Sequence, residues 1–150
     1  MPSSDDASEL PAASPRHGND IPVGQDRIFD GLADKFANSL YATARGQIRL
    51  AVLDQVLSHA LPQGGAAALD VGGGLGQMSV WLAERGHRVT LAEPSAEMLA
   101  RARAEFGELP IRVLQAPIQA LPELAPGPWP LVVCHAVLEW LAQPRQAVAT

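Results

Sequence analysis

The sequence predicts an α/β fold, a mostly parallel sheet with helices on both faces. Short apolar runs (66–71, 88–93, 111–114 and 131–134) alternate with stretches of helical periodicity. Strands buried on both faces read as near-continuous apolar runs, which is how parallel pairing appears in a sequence. The first run enters the glycine-rich turn Leu69-Asp70-Val71-Gly72-Gly73-Gly74-Leu75-Gly76-Gln77, and a helical pattern from Leu75 to Arg85 leaves it. A strand that becomes a helix within so few residues needs φ > 0 and no Cβ in the way, and it offers bare main chain to a ligand.

A chain of 150 residues is one domain at most. It ends at Gln146-Ala147-Val148-Ala149-Thr150 inside a helical pattern with no stop signal, so a domain truncated after its fourth strand is expected, with its C-terminal part absent. Residues 1–24, rich in Pro, Ser, Asp and Ala without an apolar face, read as a disordered tail. Of the net charge of −5, Asp5, Asp6, Glu9 and Asp20 against Arg16 place −3 in that tail and leave −2 for residues 25–150. This balance gives no electrostatic support for a nucleic-acid partner, although a basic patch elsewhere would escape such a count. The single Cys134 forms no internal disulfide, the four histidines show no metal spacing, and neither a signal peptide nor a long apolar run is present. The expectation is a cytoplasmic protein without metal or membrane.

From Gln25, the residues Ile28, Phe29, Leu32 and Phe36 recur at helical spacing. A second helix is expected from about Ala44 to His59, with Ile48, Val52, Val56, Leu53 and Leu57 inward, stopped by Leu61-Pro62-Gln63-Gly64-Gly65. Two helices ahead of the first strand are expected to cover the mouth of the ligand site. Beyond the glycine turn, Met78, Val80, Trp81 and Leu82 face the core and Gly86 ends the helix. Ser95 caps a helix through Phe106, with Met98, Leu99 and Ala102 inward and Gly107 closing it. Pro122 to Pro130 reads as a connection, and Leu131 to Cys134 as a buried strand with Cys134 a small core residue.

The glycine spacing limits the ligand. A dinucleotide fingerprint, G-x-G-x-x-G, fits Gly72 and Gly74 but requires a third glycine where Gln77 stands. The alternate glycines Gly72, Gly74 and Gly76 with Gly73, and the acid Asp70 two residues earlier, are similar instead to the first motif of S-adenosylmethionine-dependent methyltransferases. Glu93 ends the second strand, where an open α/β sheet places an acid for ribose hydroxyls, and its two oxygens match a vicinal diol. Arg49, on the helix leading to the turn, offers a planar two-pronged match to the carboxylate of that cofactor. The loop after the third strand passes the adenine, with Ile118 backbone and the Gln119 side chain as contacts. His135, at the end of the fourth strand, lies where the reactive methyl is expected. Tyr41 and Arg45 are upstream candidates to face an acceptor.

Residues 25–150 resemble the tRNA 5-carboxymethoxyuridine methyltransferases, a branch of the Rossmann-like class I S-adenosylmethionine enzymes. The likeness lies in Gln25-Asp26-Arg27-Ile28-Phe29-Asp30 with Lys35-Phe36, in Tyr41 through Thr43 to Gly46-Gln47-Ile48-Arg49, and in His135-Ala136-Val137-Leu138-Glu139-Trp140 with Pro144-Arg145. Arg45 stands where lysine is expected and Ala120 where an acid is. The resemblance implies methyl transfer to the carboxylate of a modified wobble uridine in tRNA, with the anticodon loop as substrate and Tyr41, Arg45 and Arg145 on the substrate side. No catalytic side chain is required, because a carboxylate is already ionised at neutral pH. Glu139 would repel the acceptor, so it is expected to turn away from it or to pair with a cation. Other class I methyltransferases acting on a small acid or a quinone precursor, a nicotinamide oxidoreductase, and a non-catalytic fragment remain as alternatives.

Overall fold

The computed structural model describes residues 25–36, 43–61 and 63–150; Tyr41 and the expected tail at 1–24 lie outside them. In chain order the elements are α1 (Ala33–Phe36), α2 (Ala44–Ala60), β1 (Ala67–Val71), α3 (Gln77–Glu84), β2 (Arg88–Glu93), α4 (Ala96–Glu105), β3 (Ile111–Gln115), a 3-10 turn (Ile118–Ala120), α5 (Leu121–Leu124), β4 (Leu131–Val133), a second 3-10 turn (Leu138–Trp140) and α6 (Pro144–Val148). The four strands are parallel in the order β3-β2-β1-β4. Strand order reverses between β1 and β4, and their carboxyl ends open the crevice in which such sheets bind ligands.

Each face of the sheet follows from strand alternation. Ala68 and Val89, paired in register, point to α3 and pack with Leu82 and Ala83. Leu91 points the same way, into Leu99 and Ala102 of α4 and into Phe106 just after it. Leu69, Val71 and Ala92 face the opposite side, against Ala116 and Leu121. The Ser95 hydroxyl accepts the Met98 N–H at 3.2 Å and starts α4, while Gly86 at φ +83° and Gly107 at φ +54° follow the ends of α3 and α4.

The amino-terminal segment departs from the expected helix. Residues 25–32 are non-helical, and only Ala33–Phe36 forms a turn of helix. The contacts of this segment are long-range. Both Asp26 carboxylate oxygens are occupied, one by the Ala142 N–H at 2.8 Å and one by Gln119 Nε2 at 2.6 Å. Phe29 meets Trp140 edge to face, with ring centroids 5.2 Å apart. Asp30 accepts from the Ser95 hydroxyl at 2.5 Å, and the Gly31 N–H donates to Glu97. The segment is a strap across the carboxyl ends of the strands.

Helix α2 begins at Thr43, whose Oγ1 accepts the Gly46 N–H at 3.2 Å. It docks on α3 through a different stripe from the one expected. Asp54 accepts the Trp81 indole N–H at 2.8 Å and pairs with Arg85, whose guanidinium stacks on the Trp81 ring at 3.8 Å. That orientation turns Leu53 and Leu57 inward but leaves Ile48, Val52 and Val56 more than half exposed. The proline-rich connection contains α5, because Pro122 falls in the first turn, where a missing N–H costs a helix nothing. In β4, Leu131 is buried, but Val132 is 53% exposed, and Cys134 just beyond the strand is exposed and not the expected core residue, since β4 is an edge strand among the described residues.

Candidate functional site

The crevice holds a cavity of about 240 Å³. Arg49, Asp70, Gly72, Gly73, Gly74, Glu93, Ile118 and His135, all singled out from the sequence, line it. The glycine turn adopts the backbone its composition requires. Gly72, Gly74 and Gly76 have φ of +63°, +56° and +83°. A Cβ on Gly72 would lie 2.7 Å from Val137, and one on Gly73 would lie 2.1 Å from Leu91 and 2.6 Å from the Asp70 carboxylate. Gly74 has nothing within 4 Å of that position, so it is the glycine whose missing side chain leaves open space. Gly76 does not line the cavity. It precedes α3 with a left-handed backbone, and a Cβ there would stand 2.6 Å from Phe106, so its role is packing.

The glycine N–H groups of this turn are used internally. Gly72 and Gly73 donate to the Ala92 carbonyl at 2.7 and 3.4 Å, Gly74 donates to Glu93 Oε2 at 3.1 Å, and Gly76 donates to the Gly73 carbonyl at 2.9 Å. Glu93 accepts the Ser95 N–H on its other oxygen at 3.0 Å. Each oxygen keeps a lone pair beyond these bonds. Burial raises the Glu93 pKa, the Ser95 and Gly74 amides oppose the shift, and Asp30 adds to it. Asp70 is pushed up to about 6 by burial, against the hydrogen bond it accepts from the Ser79 hydroxyl at 2.7 Å, with the Glu93 charge raising it further.

Across the cavity Arg49 Nη2 lies 3.1 Å from His135 Nε2. Arginine only donates, so this bond puts the imidazole proton on Nδ1. Burial lowers the His135 pKa and the Arg49 charge lowers it further, with Glu139 acting the other way. The ring is therefore neutral at physiological pH. Ala136, next in the chain, has φ +57°, a left-handed conformation that costs a residue with a side chain roughly 1–2 kcal/mol. The strained turn precedes Val137, which packs over Gly72.

Several expected residues lie elsewhere. Gln119 is not on the cavity wall; its side chain is spent on Asp26. Arg45 and Arg145 are exposed and do not line the cavity. Glu139 does line it, exposed and without an ion-pair partner among the described residues, contrary to the expectation that it turns away or pairs. The 3-10 turn that carries it sends Trp140 toward Phe29 and leaves Glu139 on the rim near His135. Cys134 has a thiol pKa raised by partial burial and then by Asp70, the opposite of what a nucleophile needs. The sequence reading missed Arg27, Phe29, Val137 and Trp140 as wall residues. A signal did exist for all four, since they lie in segments that carry the family resemblance. Among the described residues no three His, Cys, Asp or Glu form a group fit for a metal, and no helix is long and apolar enough to cross a membrane.

The chain is similar to several known proteins. The chain is 39% identical over 133 residues to a tRNA 5-carboxymethoxyuridine methyltransferase of Escherichia coli, covering 84% of this chain and 51% of that protein. It is 35% identical over 96 residues to an uncharacterised methyltransferase of Mycobacterium tuberculosis, covering 64% of this chain and 48% of the relative. The chain thus spans about half the length of these relatives. The crystal structure of magnesium protoporphyrin IX methyltransferase from Synechocystis has the same fold, with a TM-score of 0.62 at 19% identity over 81% of this chain and 64% of that one. A family model described as a methyltransferase domain matches residues 69–150, more than half of the sequence, and the chain belongs to that family.

Proposed function

We propose that residues 25–150 are the cofactor-binding part of an enzyme that methylates the carboxylate of 5-carboxymethoxyuridine at the wobble position of tRNA, using S-adenosylmethionine. The observation that carries the cofactor is the pairing of the glycine turn with Glu93. A pyrophosphate needs free amides at such a turn. Here the glycine amides are bonded internally, and two carboxyl groups, Asp70 and Glu93, flank them. That surface disfavours a nicotinamide dinucleotide and suits a ligand with a sugar diol and a cationic centre but no phosphate. The likeness to the Escherichia coli enzyme supports the acceptor, and such a role implies a cytoplasmic protein.

In this reading Glu93 takes the ribose hydroxyls, the turn from Gly72 to Gly74 gives the adenosyl group close contact with main chain, and Ile118 lies by the base. Arg49, held by His135, is placed for the amino-acid carboxylate. The cofactor, when bound, supplies an electrophilic methyl on a sulfonium. The acceptor carboxylate is ionised at neutral pH, so the protein needs no general base. Its task is to hold the acceptor oxygen in line with the methyl, and positioning of this kind supplies roughly 7–11 kcal/mol in favourable cases. Neutral His135 at the strand end fits this economy, since no proton has to move.

Two measurements test the proposal. Calorimetric titration with S-adenosylmethionine and with NAD is expected to show binding of the first alone, and binding of NAD alone would overturn the cofactor. Mass spectrometry of nucleosides from tRNA carrying 5-carboxymethoxyuridine, incubated with the full-length protein, is expected to show the methyl ester. If the tRNA stays unmodified while a small-molecule acid is methylated, the acceptor is wrong and the cofactor stands.

A further inference from the structure

The cavity wall carries four carboxyl side chains, Asp26, Asp70, Glu93 and Glu139, against two guanidinium groups, Arg27 and Arg49. An anionic acceptor entering this field is repelled unless a cation meets it. Arg49 is bonded to His135, on the side assigned above to the cofactor. Arg45 and Arg145 do not reach the wall. Arg27 does, and its placement is fixed from several directions. Its N–H donates to the Trp140 carbonyl at 2.9 Å, and its neighbour Asp26 is bonded to Ala142 and Gln119. Its guanidinium carbon lies 5.1 Å from the Trp140 ring centroid and 5.3 Å from that of Phe29.

Aromatic rings hold a guanidinium by its flat face, whereas a carboxylate meets it in the plane through the edge N–H groups. The two arrangements are compatible, and the rings restrict the orientation of the group that receives the acceptor. We propose that Arg27 binds the carboxylate of the acceptor and sets its oxygen toward the methyl donor. This inference rests on the carboxylate-methylation reading given above.

The test uses the full-length protein and tRNA bearing 5-carboxymethoxyuridine, with Arg27→Gln and Arg27→Lys compared with wild type. Arg27→Gln is expected to raise the acceptor KM about tenfold or more, the scale of a lost charge-assisted pair. The calorimetric affinity for S-adenosylmethionine is expected to stay at the wild-type value, the melting temperature to fall by only the few degrees that the lost ring contacts cost, and Arg27→Lys to recover part of the loss in KM. An unchanged acceptor KM in Arg27→Gln overturns the inference while the function stands. Loss of cofactor affinity and melting temperature in parallel with KM also overturns it, because Arg27 would then only brace the strap. A wild-type protein inert on this tRNA overturns the proposed function, and the inference falls with it.

Discussion

In the proposed site Glu93 takes the ribose hydroxyls, and its removal has a calculable effect. One oxygen accepts from Gly74 at 3.1 Å and the other from Ser95 at 3.0 Å, which leaves one lone pair on each for a vicinal diol. Hydrogen bonds to a charged group contribute roughly 1.5–3 kcal/mol. At about 1.4 kcal/mol per decade, Glu93→Ala is expected to weaken S-adenosylmethionine binding by about one to two decades. Alanine also strips two amides of their acceptor, so Glu93→Gln, which keeps the volume and loses the charge, is the companion variant. Titration calorimetry reads the affinity and thermal melting reads the integrity of the turn. Affinity unchanged in both variants, with melting also unchanged, refutes a ribose role for Glu93.

Other outcomes follow from the same geometry. Gly73→Ala, whose Cβ would sit 2.1 Å from Leu91, is expected to destabilise the fold by about 1–3 kcal/mol through overpacking, whereas Gly74→Ala, with nothing within 4 Å but a φ of +56°, is expected to cost about 1–2 kcal/mol through the backbone and to lower cofactor affinity. An unchanged cofactor affinity in Gly74→Ala would contradict the close contact assigned to this position. Burial lifts the Asp70 pKa from 3.8 to about 6, so between these values the folded chain keeps a proton that the unfolded chain has released. Its contribution to stability therefore falls as pH rises through that window, by roughly 3 kcal/mol in all. Chemical denaturation of wild type and Asp70→Asn is expected to show the wild type losing ground to the variant over this range, and a constant difference would contradict it. Arg49→Met is expected to raise the His135 pKa, since a neighbouring positive charge that lowers it is removed. NMR titration of the imidazole checks this, and an unmoved pKa refutes the coupling.

The parallel sheet and the turn between β1 and α3 were legible because their signals are local. Apolar runs bounded by glycine mark strands, and Gly72, Gly74 and Gly86 stand where φ is positive. The strap was not, because its apolar residues imitate a helical period while their partners lie far along the chain; Phe29 answers to Trp140, and Asp26 to Gln119 and Ala142. No local pattern shows that Gln119 serves a carboxylate of the strap and leaves the cavity wall. The facing of α2 was decided by the Asp54–Trp81–Arg85 cluster, so a stripe of equally apolar residues, Ile48, Val52 and Val56, was left outside. Gly76 shows the limit of motif reading. Its place in the glycine series suggests a ligand contact, but Phe106 explains it.

Glu93 beside the glycine turn is the centre of the proposed site, and a crystal structure of the full-length protein with S-adenosylhomocysteine addresses it directly. The expected result has both ribose hydroxyls at hydrogen-bond distance, about 2.5–3.0 Å, from the Glu93 carboxylate, with the adenosyl group lying along Gly72 to Gly74. A ribose held by other residues, or a cavity closed by Val137 and Trp140 with the ligand bound elsewhere, would contradict it.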